Sequence, residues 1–217
     1  MTKARAKFRQ SKASLAAPLI LVGLGNPGPD YDQTRHNVGF DFVDRLADSM
    51  GLPWRRPWFR PFHIARSSAV VLVKPRTYMN RSGRVFPYLL SRFQVSPAQV
   101  CVVVDNMDLP VGEVRMKRKG SPAGHNGLKS IHAVLGSDDY PRLYVGIGRP
   151  GAGADTVEHV LGSFNPQERL RVEAAFERIL PLFTGTEGLS LDQQISAVND
   201  LRRPPPEDEA LLQGLPR

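Results

Sequence analysis

The chain has 217 residues, 41% of them hydrophobic, with one cysteine and a formal charge of +8. This length and apolar content suit one domain with a sizeable core, and they exclude global disorder, an internal disulfide and any membrane-crossing run of about 20 apolar residues. The charge is unevenly placed: residues 1–17 hold five basic side chains and no acid, residues 203–217 net −1, and the segment between them nets +4, which permits a polyanionic partner without requiring one.

In chain order, residues 1–17 read as a disordered basic extension of a cytoplasmic protein. Their composition also fits an organellar transit peptide, but arginine is sparse and no cleavage signal follows. Residues 18–24 (PLILVGL) form an apolar run ending in glycine, the pattern of a buried strand. Val38, Phe42, Leu46 and Met50 recur every four residues before Gly51, so the spacing predicts an amphipathic helix over 37–50. Residues 61–66 and 69–74 read as a hairpin. Residues 82–93 read as a helix that Pro87 should bend or shorten. Residues 100–105 (VCVVVD) and 142–148 (RLYVGIG) are two further buried strands, and Leu128, Ile131 and Leu135 mark a helix between them that ends at Gly136. Asn165-Pro166-Gln167-Glu168 is a helix start, with Asn as N-cap, Pro at the first position and Glu at the third. Pro204-Pro205-Pro206 then closes the domain and leaves a Pro-rich acidic tail over 204–217. Strands alternating with helices, a hairpin among them, predict a single α/β domain over 18–203 with a mixed β-sheet.

Gly23-Leu24-Gly25-Asn26-Pro27-Gly28 matches the G-x-G-x-x-G dinucleotide fingerprint, and Asp44 lies about twenty residues further on. That reading needs a helix to begin inside the loop so that its N–H groups meet a pyrophosphate. Pro27 and Pro29 flank Gly28, lack N–H groups and push their preceding residues out of helical geometry. The helical pattern begins only near Asn37, so a nucleotide cofactor is rejected. What remains is a turn that places Asn26 at the carboxyl end of a strand, where open α/β sheets bind ligands.

Polar groups recur at strand ends and helix starts: Asn26, the run Thr34-Arg35-His36-Asn37-Val38-Gly39, the run Lys74 to Gly83, Asp105, and Gly124-His125-Asn126-Gly127-Leu128-Lys129. Each alone has a plain structural explanation, as a turn residue or a cap. Together, as VGLGNPG, TRHNVG, KP-x-TYMN-x-SG, D-x-x-DLP, GHNGLK and RL-x-VGIGRP in order from about Leu19 to Phe164, they resemble the bacterial-type peptidyl-tRNA hydrolase family. The resemblance implies a compact monomer whose twisted mixed sheet is enclosed by helices. It also implies hydrolysis of the ester between a peptide and the terminal ribose of tRNA, a reaction that recycles tRNA from aborted translation, with no metal or other cofactor. It implies that His36 is the catalytic base, that Asp105 orients it, and that Asn26, Asn80 and Asn126 surround the scissile ester. Tyr31 and Met79 fall in the same segments and shape the peptide groove, while Arg115 and Lys117 match a basic strand that holds the tRNA phosphate. Tyr144 stands where relatives can carry an arginine, which shifts part of that contact to Arg142.

The chemistry suits these residue types. An ester carbonyl is already electrophilic, so an activated water and a donor for the developing oxyanion suffice. Neutral imidazole accepts a proton from water near neutral pH, a carboxylate fixes its tautomer, and asparagine amides both donate and accept without charge. No G-x-S-x-G elbow offers a serine nucleophile, and Cys101 among valines reads as core. Among the remaining candidates, Trp54-Arg55-Arg56-Pro57-Trp58-Phe59-Arg60 has a composition that can stack on RNA, yet two Trp beside a hairpin more often pack against the sheet. His63, His132 and His159 have no metal-ligand spacing, and His125 reads either as support for the site or as a helix-start residue. Pro122 should stiffen the loop before Gly124. The alternative function is a non-catalytic RNA-binding relative of the same fold, of the plant organellar splicing-factor type; the basic extension favours it, and the presence of His36, Asp105 and all three asparagines counts against it.

Overall fold

In a computed structural model of the chain, residues 18–184 and 189–201 are described. The expected extension over 1–17 and the tail over 204–217 lie outside these residues. Six strands form one sheet: β1 (Leu19–Gly23), β2 (Phe62–Arg66), β3 (Val70–Pro75), β4 (Val100–Asn106), β5 (Val114–Lys117) and β6 (Arg142–Gly146), in the order β2-β3-β1-β4-β6-β5. The four central strands run parallel, and the two edge strands pair antiparallel, so the sheet is mixed as expected.

The apolar runs of the central strands are long because both faces are covered. Leu21, Leu72, Cys101, Val103, Leu143 and Val145 point to one side. There they meet α1 (Val38–Ser49), α5 (Pro166–Ile179) and α6 (Leu191–Asp200) through Phe42, Phe176 and Val198. Ile20, Val22, Val71, Val73, Val102 and Val104 point to the other side, against α2 (Phe86–Phe93) and α3 (Asn126–Leu135) through Phe86, Leu89, Leu128 and Ile131. The period-two alternation of strand side chains therefore builds two cores, one on each face.

Pro87 does not sit inside a long helix. Residues 79–85 form a tighter 3-10 segment and Pro87 falls in the first turn of α2, where its missing N–H costs nothing. The Asn165 capping box forms as the sequence indicates. Two helices carry no strong pattern and were not anticipated: α4 (Thr156–Leu161), capped by Asp155, and α6. From α6, Asn199 bonds both the N–H and the carbonyl of Met116 at 3.0 Å and so covers the outer edge of β5. The paired tryptophans also divide: Trp54 is half-buried under Lys74, 4.5 Å from its ring centre, whereas Trp58 is 86% exposed. No helix among the described residues is long and apolar enough to cross a membrane.

Candidate active site

The start of α1 lies directly on the sheet. A Cβ on Gly39 would stand 2.4 Å from the carbonyl oxygen of Val103 and 2.6 Å from that of Leu24, so only glycine permits this approach. The contact brings the preceding turn, Arg35–Asn37, to the carboxyl end of β4, where Asp105 lies buried. Arg35 ties the turn to α5 through an ion pair with Glu168 at 2.8 Å. No helix starts inside the glycine loop; after Gly28 the chain makes a single 3-10 turn at Pro29–Tyr31, as the two prolines require.

His36 Nδ1 stands 2.9 Å from Asp105 Oδ1, and His125 Nε2 stands 2.9 Å from the same oxygen. All three side chains are nearly buried. Burial acting by itself would raise the Asp105 carboxyl, but the positive charge available on His125 and then on His36, with their hydrogen bonds, outweighs it and holds the group below the usual carboxylate range. The carboxylate is therefore an acceptor only, and each histidine must donate to it.

His125 is the N-cap of α3: its Nδ1 accepts the N–H groups of Gly127 at 3.1 Å and Leu128 at 3.3 Å. With Nδ1 unprotonated, the proton of neutral His125 sits on Nε2, which donates to Asp105. His36 has the opposite tautomer, with its proton on Nδ1 and a lone pair on Nε2. The ambiguity between supporting residue and helix cap thus resolves as both at once, one nitrogen for each task. Sequence spacing showed the cap position but not the distant carboxylate.

The donor atoms of His36, Asp105 and His125 lie within 4.8 Å of one another, as a metal site would need. Both nitrogens, however, are at hydrogen-bond distance from one oxygen, and the second nitrogen of His125 is committed to α3. A zinc-type ion would need lone pairs about 2.0–2.1 Å away from both imidazoles, pulled off that shared oxygen. The cluster fits a proton relay better than a cation.

A cleft of about 470 Å³ opens beside the pair. His36, Asp105, His125 and Asn126 line one end, Arg115 and Lys117 of β5 line another part, and Gly120–Gly124 form a rim. Asn26 and Met79 are held together next to it: Asn26 Oδ1 accepts the Met79 N–H at 2.8 Å, and the Met79 sulfur lies against Gly127 at the start of α3. Asn26 Nδ2 has no hydrogen-bond partner among the described residues. Asn80 is exposed on the turn after Met79, and Tyr31 packs edge-on against Tyr78 with ring centres 6.2 Å apart; neither lines the cleft.

Arg142 is placed differently from the expectation that it reaches a phosphate. Its side chain is 0% exposed and points beneath the rim. Nη1 donates to the Ser121 carbonyl at 2.8 Å, and Nη2 lies 3.2 Å from Asp138. Arg142 anchors the loop carrying Pro122 rather than presenting charge to a ligand. Asn37, which ends the polar run 34–37 at the start of α1, makes no cap. Its Oδ1 accepts the Asn26 N–H at 2.8 Å and its Nδ2 donates to the Asn26 carbonyl at 3.0 Å, fixing Asn26 from both sides. Of the remaining histidines, His132 pairs with Asp138 at 3.1 Å and His159 Nε2 meets the carbonyl of Gly148 at 3.0 Å.

Comparison with known proteins gives the same result from several directions. The family model described as peptidyl-tRNA hydrolase matches residues 20–205. The peptidyl-tRNA hydrolase of Synechocystis is 46% identical over 165 residues, which covers 74% of this chain and 84% of the relative. That of Borrelia duttonii is 41% identical over 184 residues, covering 83% and 97%. The crystal structure of peptidyl-tRNA hydrolase from Acinetobacter baumannii superposes with a TM-score of 0.77 at 34% identity, over 84% of this chain and 95% of that one. With the profile spanning most of the sequence and the fold matching throughout, the chain belongs to the peptidyl-tRNA hydrolase family.

Proposed function

We propose that this hydrolase cleaves the peptide–tRNA ester by direct attack of water, with His36 as general base, and that it works as a monomer in the cytoplasm. The observation that carries the reading is the Nδ1–Oδ1 contact of 2.9 Å between His36 and Asp105, which leaves His36 Nε2 as the lone-pair nitrogen beside the cleft. Nε2 takes a proton from water as the oxygen attacks the ester carbonyl. Asp105 stabilises the imidazolium that forms. Collapse of the tetrahedral intermediate expels the ribose oxygen, which receives that proton from His36, giving a free tRNA hydroxyl and a peptide carboxylic acid that loses its remaining proton to solvent.

The oxyanion needs a donor. The N–H groups of Gly127 and Leu128 are occupied by His125, so the side-chain amide of Asn126, which lines the cleft, takes this role, aided by the N-terminal end of α3. Asn26, its carbonyl oxygen committed to Met79, offers Nδ2 to a peptide carbonyl. Met79 flanks the side along which the peptide leaves, with Asn80 and Tyr31 further out beyond the cleft, and recognition by neutral amides suits a chain of any sequence. Arg115 and Lys117 meet the tRNA phosphate from the opposite side. A buried lone cysteine is compatible with a reducing cytoplasm. The feature favouring a non-catalytic RNA-binding role, the basic extension, lies outside the described residues.

The test is hydrolysis of N-acetyl-aminoacyl-tRNA beside unblocked aminoacyl-tRNA. Release from the blocked substrate only is expected. Turnover of neither, with tRNA still bound, would replace the enzyme by the binder.

A further inference from the structure

Between Asp48 and Asp105 the sequence holds nine Lys and Arg and no acid. This segment supplies β2, β3, the following 3-10 turn and α2, so the charge is collected at one side of the molecule. Elsewhere the arginines are largely neutralised: Arg35, Arg45, Arg118, Arg142, Arg149 and Arg169 each meet a carboxylate. In the segment only Lys74 does among the described residues, through Asp44. Arg55, Arg56, Arg60 and Arg76 are exposed and make no ion pair among the described residues.

These groups converge. Arg55 pairs by its backbone with Ile64 of β2, and the Arg76 N–H bonds the Pro61 carbonyl at 2.7 Å. His63, opposite Lys74 in the hairpin, has its imidazole pushed below its ordinary value by burial and then by the charges of Arg76, Lys74 and Arg56. Arg60 stacks over Tyr88, 4.1 Å from its ring centre. At the tip, Trp58 and Phe59 are 86% and 95% exposed, with rings 5.8 Å apart at 83°. Phe59 has φ 57°, a left-handed conformation that is strained for a non-glycine residue and here holds an apolar ring in water.

We infer that this edge is a second nucleic-acid surface, which binds an unpaired RNA strand distinct from the acceptor end of the substrate. Two perpendicular aromatic faces accept unstacked bases, and unpaired guanidinium groups around them meet phosphates. A duplex would hide its bases from such a tip. The proposed acceptor-end contacts, Arg115 and Lys117, belong to β5 at the far edge of the sheet. The outer hairpin strand β2 is five strand intervals from β5, about 24 Å at ordinary strand spacing, so the two basic surfaces lie at opposite edges of the sheet.

The test uses the full chain and a labelled single-stranded RNA of twelve mixed nucleotides, followed by fluorescence anisotropy at several salt concentrations. Trp58→Ala with Phe59→Ala is expected to weaken binding about 10- to 100-fold, the usual loss for one or two stacked bases. Arg55→Gln with Arg56→Gln should lower the log–log salt slope by about 1.4. In both double variants kcat/KM for N-acetyl-aminoacyl-tRNA should stay at the parent value. Because the four side chains are exposed, folding is not at stake. Oligonucleotide binding that ignores these substitutions overturns the inference. So does a parallel loss of kcat/KM, which would make the edge part of the substrate path, or binding to anionic vesicles in place of RNA.

Discussion

His36 and His125 share one acceptor atom, the Oδ1 of Asp105, each at 2.9 Å, with ring centres 5.0 Å apart. Because the second nitrogen of His125 is spent on the first turn of α3, the two rings hold opposite tautomers. The helix that carries Asn126 is thereby coupled to His36, the proposed general base.

Replacing His36 with Ala removes the proposed general base and leaves the proposed phosphate contacts in place. Single-turnover hydrolysis of N-acetyl-aminoacyl-tRNA should fall about 10²–10⁴-fold while Kd for tRNA changes little. A variant that hydrolyses at the parent rate would assign the base elsewhere.

Asp105→Asn keeps the shape, and its amide oxygen can still accept from both rings, but it removes the negative charge that stabilises the imidazolium. A rate loss of similar size, about 10²–10⁴-fold, is expected. The same variant tests acid stability. A carboxyl held low in the folded state stabilises it above the unfolded value near 3.9, and this contribution is lost as pH falls through the depressed folded value. Below about pH 4, urea unfolding of the parent should therefore weaken with acid more steeply than that of Asp105→Asn, by up to about 1.4 kcal/mol per pH unit. Equal slopes would mean that the carboxyl is not depressed.

Lys117→Ala and Arg142→Met should separate two kinds of basic residue on neighbouring strands. Lys117 is exposed, and its loss should weaken tRNA binding and lower the salt slope by about 0.7–0.9. Arg142 is buried against Asp138 and Ser121. Its replacement should cost about 1–3 kcal/mol of unfolding free energy with the salt slope unchanged. The reverse pattern would restore Arg142 as a phosphate ligand.

Cys101 faces the α1 side of the sheet, and burial pushes its thiol up to about 12. A disulfide-exchange reagent at pH 8 should label no thiol in the folded protein and one after denaturation. Fast labelling of the native protein would show that β4 opens readily.

Much of this architecture was legible in the residues. The prolines around Gly28 told against a nucleotide loop because they act locally, and the ordered polar motifs carried the family. Other features depended on where distant segments meet. Arg142 shares a basic character with Lys117, and only the depth of β6 beneath the rim turns it inward. Asn37 resembles a cap by position, but the close seat of Gly39 on the sheet sends its amide to Asn26 instead. For α6, five of the ten residues are Asp, Asn or Gln on an otherwise weak apolar stripe, and its packing against β5 decides the helix. Trp54 and Trp58 have the same composition around them; the turn at Pro57 separates one that packs from one that does not.

The most direct test of the catalytic centre is ¹⁵N NMR of the full chain labelled in histidine, recorded near pH 8.5, where ordinary imidazole is neutral. The expected spectrum has the His36 proton on Nδ1 with Nε2 bare, and the His125 proton on Nε2 with Nδ1 bare. A His36 ring protonated on Nε2, or the same tautomer on both residues, would contradict the shared-oxygen arrangement and the water activation built on it.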